Sequence, residues 1–236
     1  MAILAIMATS EILNLMVKAG RPPLSWLAPA LVFVFVVGSW ALPGDAYFYL
    51  AGIAILLSLF FLLLSHGQPN AFERWGLTTA ACFYSSFLTS YMILLRGVQS
   101  GVNRPMWWMG AALAGTWLFD TGAYLIGRRY GRHKLWPAIS PGKSWEGTVG
   151  GTVLAVGISL VTVRVLGLSF AQAAGLGVLI AVLAQFGDLV ESVIKRQVGV
   201  KDAGGFLPGH GGILDRIDGL LLSTVGVYYF SLLAGK

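Results

Sequence analysis

The sequence predicts an all-α protein, a polytopic membrane bundle of about eight transmembrane helices with a polar cavity at its cytoplasmic side. Three observations lead there. Of 236 residues, 56% are hydrophobic and 11% charged, with a mean hydropathy of +0.76, beyond the roughly half-apolar composition of a soluble domain. Several apolar runs approach or reach the ~20 residues a helix needs to cross the hydrocarbon. Acidic side chains, rare and costly in such surroundings, gather in one short C-terminal stretch.

Taken in order, the runs expected as helices are 1–17, 27–42, 47–64, 76–95, 106–127, 145–165, 170–187 and 218–234. The first two are short for a full crossing, and a re-entrant or interfacial piece is the alternative for 1–17. Trp26, Trp40, Tyr47, Trp75, Trp107, Trp108 and Trp145 fall at or beside the proposed ends, where amphipathic rings prefer the headgroup level. The 31 glycines are scattered through the apolar runs, where small residues let helices approach closely. Residues 1–236 are therefore expected as a single integral membrane domain.

The net charge of +6 is informative by location rather than as a total. The odd-numbered connections hold Lys18, Arg21, Arg74, Arg128, Arg129, Arg132, Lys134, Lys143, Lys195, Arg196, Lys201 and Arg216, twelve of the sixteen cations. The positive-inside rule places those connections in the cytoplasm. Met1 then lies outside, a start that one more helix upstream would repair, and no basic n-region marks a signal peptide. Basic charge distributed in this way reports topology, and nucleic acid is not expected as a partner. Cys82, the only cysteine, excludes an intramolecular disulfide and a thiol-rich metal site.

Two polar segments, 128–144 and 188–217, are too long to be mere turns. Five of the ten carboxylates, Asp188, Glu191, Asp202, Asp215 and Asp218, fall between 188 and 218, and Asp120 is the sole charge in the run 106–127. A charge at the bilayer centre costs roughly 2.5–3.5 kcal/mol on insertion scales, so something must offset it. If the run from 170 continues as a helix to 197, Asp188, Glu191 or Ser192, and Lys195 share one face. Asp215 and Asp218 share a face if the last helix starts near Leu214. Gly209, Gly211 and Gly212 precede it and permit a tight turn or close approach to a ligand.

Carboxylates without thiols or paired histidines suit Mg²⁺, Mn²⁺ or Ca²⁺ rather than Zn²⁺. The cations nearby in sequence, Lys143, Lys195, Arg196, Lys201 and Arg216, are what a polyphosphate needs, Arg as a bidentate fork and Lys as a point charge. Together these features point to phosphoryl or nucleotidyl transfer. Each also has a plainer explanation taken singly. Asp215, Arg216 and Asp218 could form an ion pair that sets helix register, His210 a turn contact, and Asp120 a proton relay or ion path. An ion-coupled transporter built on Asp120 and Asp188 is the alternative of a different class.

Residues 192–218, "SVIKRQVGVKDAGGFLPGHGGILDRID", are similar to the signature of the phosphatidate cytidylyltransferase (CDP-diacylglycerol synthase) family. Ser192, Lys195, Arg196, Lys201, Asp202, His210, Gly211, Gly212, Asp215, Arg216 and Asp218 fall on its fixed positions. The stretches "FDTGAYLIGRRYGRHKL" (119–135), "SPGKSWEGTVGG" (140–151) and "GDLVESVIKR" from 187 resemble it too. In the second, Gly142 and Ser144 stand where many relatives carry Lys and Thr. The likeness covers the C-terminal half, so 106–236 is expected as the catalytic part and 1–105 as helical scaffold.

The resemblance implies transfer of a cytidylyl group from CTP to phosphatidate, giving CDP-diacylglycerol and pyrophosphate. The expected catalytic set is Asp188, Asp215, Asp218, Lys201 and Arg216. Asp188, Asp215, Asp218 and Asp120 are the expected ligands of Mg²⁺ or Mn²⁺, as one ion or two. Ser140, Lys143, Ser192, Lys195, Arg196, His210, Gly211 and Gly212 are expected to bind substrate, the glycines through an N–H nest. The expected partners are CTP, phosphatidate and the lipid bilayer, with a homodimer allowed. The expected location is the bacterial inner membrane, with the site facing the cytoplasm. A CTP-dependent polyprenol or phytol kinase is the nearer alternative. A CDP-alcohol phosphotransferase is disfavoured, because "DG" at 218–219 is followed by "LLLS".

Overall fold

The apolar runs fold as helices. The computed structural model describes residues 1–24, 26–42, 46–98, 106–200, 203–204 and 211–234. Among them lie α1 (Ala2–Lys18), α2 (Leu27–Ala41), α3 (Tyr47–Leu64), α4 (Ala71–Leu95), α5 (Met106–Tyr130), α6 (Trp145–Val161), α7 (Phe170–Val198) and α8 (Leu214–Ala234), with a helical turn at Val163–Leu166. Of these, α4, α7 and α8 are long and apolar enough to cross a membrane, whereas α2, α6 and the part of α3 from Tyr49 to Leu64 are shorter apolar helices.

Helix ends depart from the hydropathy boundaries where polar helix formers continue the coil. Thus α7 runs past residue 187 through Asp188, Glu191, Lys195 and Arg196, since Glu, Lys and Arg have good helix propensity. In the same way α8 starts at Leu214 rather than at 218.

One element adds to the mostly helical fold. An antiparallel hairpin joins β1 (Lys134–Trp136) to β2 (Ser140–Ser144), pairing Lys134 with Ser144 and Trp136 with Ser140. Its turn is closed by the Ile139 N–H donating to Trp136 O at 3.1 Å. The strands carry no legible alternation because they are short, and Pro141 and Gly142 are residue types depleted in strands.

The chain divides into two compact units, Met1–Leu94 with Gln197–Asp215, and Leu95–Arg196 with Arg216–Lys236. In the first, Leu24, Leu27, Ala28, Leu31, Phe35, Ala54 and Cys82 form a buried core. Phe35 sets its ring edge against Phe83 at 4.9 Å and Phe87 at 5.2 Å. These phenylalanines bound a π turn, Phe83–Phe87, inside α4. Thr9 of α1 hydrogen-bonds there to Ser85 and Ser86, both at 2.7 Å. Arg74, expected only as a topology charge, donates to Pro22 O at 2.9 Å and so ties the α1–α2 connection to α4.

Small residues set the packing of the second unit. A Cβ at Gly122 of α5 would lie 2.9 Å from Gly150 O of α6, and one at Gly177 of α7 would lie 2.4 Å from Val156 Cα. Backbones this close exchange side-chain volume for contact area, as in membrane helix packing. Thr116 and Ser223 then link α5 to α8 by a buried hydrogen bond of 2.7 Å.

Candidate active site

The hairpin delivers a cation to α7. Ser144 ends β2 and caps α6, its hydroxyl accepting from Gly147 N–H at 3.2 Å. One residue into the helix, Glu146 accepts from the backbone N–H groups of Arg132 (3.2 Å) and His133 (3.3 Å) and meets His133 Nδ1 at 2.6 Å. With both strand ends held, Lys143 points back from β2, and its Nζ lies 2.6 Å from Asp188 Oδ2. At the hairpin tip, Arg196 Nε donates to Ile139 O at 3.4 Å.

The acids converge because α7 and α8 touch backbone to backbone. A Cβ at Gly187 would stand 2.4 Å from Asp218 O and 3.0 Å from Gly219 Cα, and one at Gly219 would stand 3.1 Å from Ala184 O. Only glycines permit that approach. Each is followed or preceded by an acid, and Asp188, Glu191 and Asp218 accordingly bring ligand oxygens within 4.8 Å of one another. Glu191 and Asp218 thus stand carboxyl to carboxyl across the two helices. The Asp218 carboxylate also accepts from Gly219 N–H at 2.6 Å, and Asp188 accepts from the Ser192 hydroxyl at 3.4 Å.

Burial makes this cluster demanding. The Glu191 side chain is 1% exposed and pairs with Lys195 Nζ at 2.8 Å, itself 13% exposed. A buried carboxylate without such a partner costs several kcal/mol. Asp120 of α5 lies within electrostatic reach of Asp218, Asp188 and Lys143. Four carboxyl groups therefore lie near two lysines, and three of them, Asp188, Glu191 and Asp218, are close enough together to hold one metal ion. The donors are all carboxylate oxygens, the ligand type that Mg²⁺ and Mn²⁺ take, so the residues fit such an ion.

Asp215, in the first turn of α8, accepts from Gly212 N–H at 2.7 Å and from Ala203 N–H at 3.1 Å. Gly211 has φ +76°, the left-handed turn conformation that glycine adopts without steric penalty. Arg216 is exposed on the first turn of α8, and Ser140 is half-buried at the start of β2. Lys201 and His210 lie outside the described residues.

Sequence reasoning placed Asp188 and Asp218 together but gave Glu191 less weight than Asp215, although its spacing to Asp188 and Lys195 carried the signal. It assigned nothing to Glu146. Glu11 was overlooked as well, yet its carboxylate accepts from Ile213 N–H at 2.9 Å and Leu214 N–H at 2.8 Å.

Comparison with known proteins gives the chain a family. The family model described as "Cytidylyltransferase family" matches residues 1–234. A phosphatidate cytidylyltransferase of Staphylococcus haemolyticus is 34% identical over 226 residues, covering 93% of this chain and 83% of its own length. Proteins of the same name from Bacillus subtilis (34% over 213 residues; 85% and 77%) and Staphylococcus aureus (34% over 227 residues; 93% and 83%) are similar to it as well. A match over nearly the whole length, with the clustered acids inside it, identifies the chain as a member of the cytidylyltransferase family.

Proposed function

We propose that this protein is a phosphatidate cytidylyltransferase, which joins CTP and phosphatidate to give CDP-diacylglycerol and pyrophosphate. The observation that carries this reading is the convergence of Asp188, Glu191 and Asp218 within 4.8 Å beside Lys143 and Lys195, in a chain whose relatives bear that name.

The chemistry demands this combination of charges. A phosphatidate oxygen attacks the α-phosphorus of CTP, the bond to the β-phosphate oxygen breaks, and pyrophosphate leaves with that electron pair. Both reactants are anions, since a phosphomonoester carries about −1.5 to −2 at neutral pH. Asp188, Glu191 and Asp218 would hold Mg²⁺ or Mn²⁺, with Asp120 as a further candidate, and the ion when bound supplies charge neutralisation between the phosphates. Lys143 and Lys195 hold the acids in place and offer N–H donors to phosphate oxygens. Arg196, Lys201 and Arg216 add cations for the triphosphate, while Ser140, Ser192, His210 and the Gly211 N–H supply neutral donors, the Gly212 N–H being held by Asp215. Asp215, with Ala203 and Gly212 N–H groups on its oxygens, is assigned to shaping that turn.

The clustering of cations in alternate connections supports an inner-membrane protein with its site on the cytoplasmic face, where CTP is at hand and phosphatidate enters from the adjoining leaflet. Purified protein incubated with cytidine-labelled CTP, phosphatidate and Mg²⁺ tests the reading. Label in lipid with equimolar pyrophosphate is the expected result. A phosphorylated alcohol with CDP would favour the polyprenol kinase alternative, and ion flux in liposomes without nucleotide turnover would favour a transporter.

A further inference from the structure

We propose that Glu11, in the first helix, is a positioning residue for the glycine turn from which α8 starts. It is the only acid in α1, a helix otherwise expected to serve as scaffold. Its two carboxylate oxygens divide the work: Oε1 accepts from Ile213 N–H at 2.9 Å and Oε2 from Leu214 N–H at 2.8 Å. These are among the first N–H groups of a helix, which have no partner within it, and a carboxylate there also complements the helix dipole.

The surroundings are built around this contact. A Cβ at Gly212 would lie 2.5 Å from Glu11 Oε2 and one at Gly204 would lie 2.7 Å from Oε1. Glycine at both positions lets the carboxylate sit between the two backbone segments. On the other side, Asp215 accepts from Ala203 N–H and Gly212 N–H. Two acids, 204 positions apart in the chain, thus engage four backbone N–H groups of residues 203 and 212–214. Glu11 fixes the origin of α8, the helix that carries Asp215 and Arg216 in its first turn and Asp218 immediately after. Its effect on turnover is positional, because its own oxygens are occupied by the backbone.

The activity arm of this inference rests on the cytidylyltransferase reading, so the test pairs it with an arm that does not. Wild type, Glu11→Gln and Glu11→Ala are compared in detergent by hydrogen–deuterium exchange and by steady-state kinetics. Loss of hydrogen bonds to a charged group is expected to raise exchange in peptides covering 211–217 by about 10- to 100-fold in Glu11→Ala. Glu11→Gln, which keeps one carbonyl acceptor, falls between, and peptides covering 188–196 are unchanged in both. The kinetic loss is expected in kcat, about 10- to 100-fold for Glu11→Ala, with KM for phosphatidate little altered. Exchange at 211–217 that matches wild type, exchange raised equally throughout the chain, or a loss confined to KM would each overturn the proposal. A wild-type protein that makes no CDP-diacylglycerol would refute the function while leaving the exchange result to decide the role of Glu11.

Discussion

Replacing Gly187 by alanine puts a methyl carbon 2.4 Å from the Asp218 carbonyl oxygen and 3.0 Å from both the Asp218 carbonyl carbon and Gly219 Cα. Unstrained carbon contacts begin near 3.5 Å, so α8 must move away from α7 by about 1 Å at this level. Neither neighbour is a flexible side chain, and the strain falls on two backbones. Overpacking of this kind costs about 1–3 kcal/mol, which the whole protein can bear. The acids flanking the contact cannot, because a displacement of about 1 Å costs on the order of 10²-fold in rate. Gly187→Ala should therefore lower CDP-diacylglycerol synthesis about 100-fold while melting within several degrees of wild type. Gly175→Ala, on the same helix with nothing within 4 Å of the added methyl, is the control and should keep full activity with a slight gain in stability. Wild-type turnover in Gly187→Ala would refute the claim that the glycine contact sets the spacing of Asp188 and Asp218.

Three further outcomes follow from the same geometry. Asp218→Asn should reduce turnover by at least about 10²–10³-fold, since it removes charge stabilisation at the reacting phosphates, with an unchanged detergent melting curve; a folded, fully active variant would contradict it. Lys195→Met leaves Glu191 buried with its lysine gone and should cost about 3–5 kcal/mol, whereas Glu191→Leu combined with Lys195→Met should recover most of that stability, as thermal unfolding in detergent would reveal. Ser144→Ala deletes the α6 cap and should cost about 1 kcal/mol, seen as a lower Tm, with a smaller loss of activity through Lys143.

The helices were legible because a run of apolar residues has few other folds open to it, and every expected run lies largely within a helix. Their ends were less so: hydropathy stops at Gly187, but the coil continues through charged residues that form helix equally well. The hairpin left no trace because Pro141 and Gly142 hide its second strand. Within the site, the face shared by Asp188, Glu191 and Lys195 followed from helical spacing, and Lys195 indeed pairs with Glu191. Spacing alone could not separate Asp215, whose oxygens take backbone N–H groups, from Asp218, which joins the cluster. Lys143 and Asp188 are 45 positions apart, and Glu11 and Ile213 are 202 apart. Such pairings depend on how the chain packs, for which no local pattern stands in.

The central claim is that Asp188, Glu191 and Asp218 seat a divalent cation. Electron paramagnetic resonance of Mn²⁺ titrated into the metal-stripped protein tests it without reference to turnover. Wild type should remove Mn²⁺ from the free hexaquo signal with saturable stoichiometry, displaced by Mg²⁺, while Asp188→Asn and Asp218→Asn should leave the free-ion signal undiminished. Equal Mn²⁺ binding by the wild type and both variants would contradict the account.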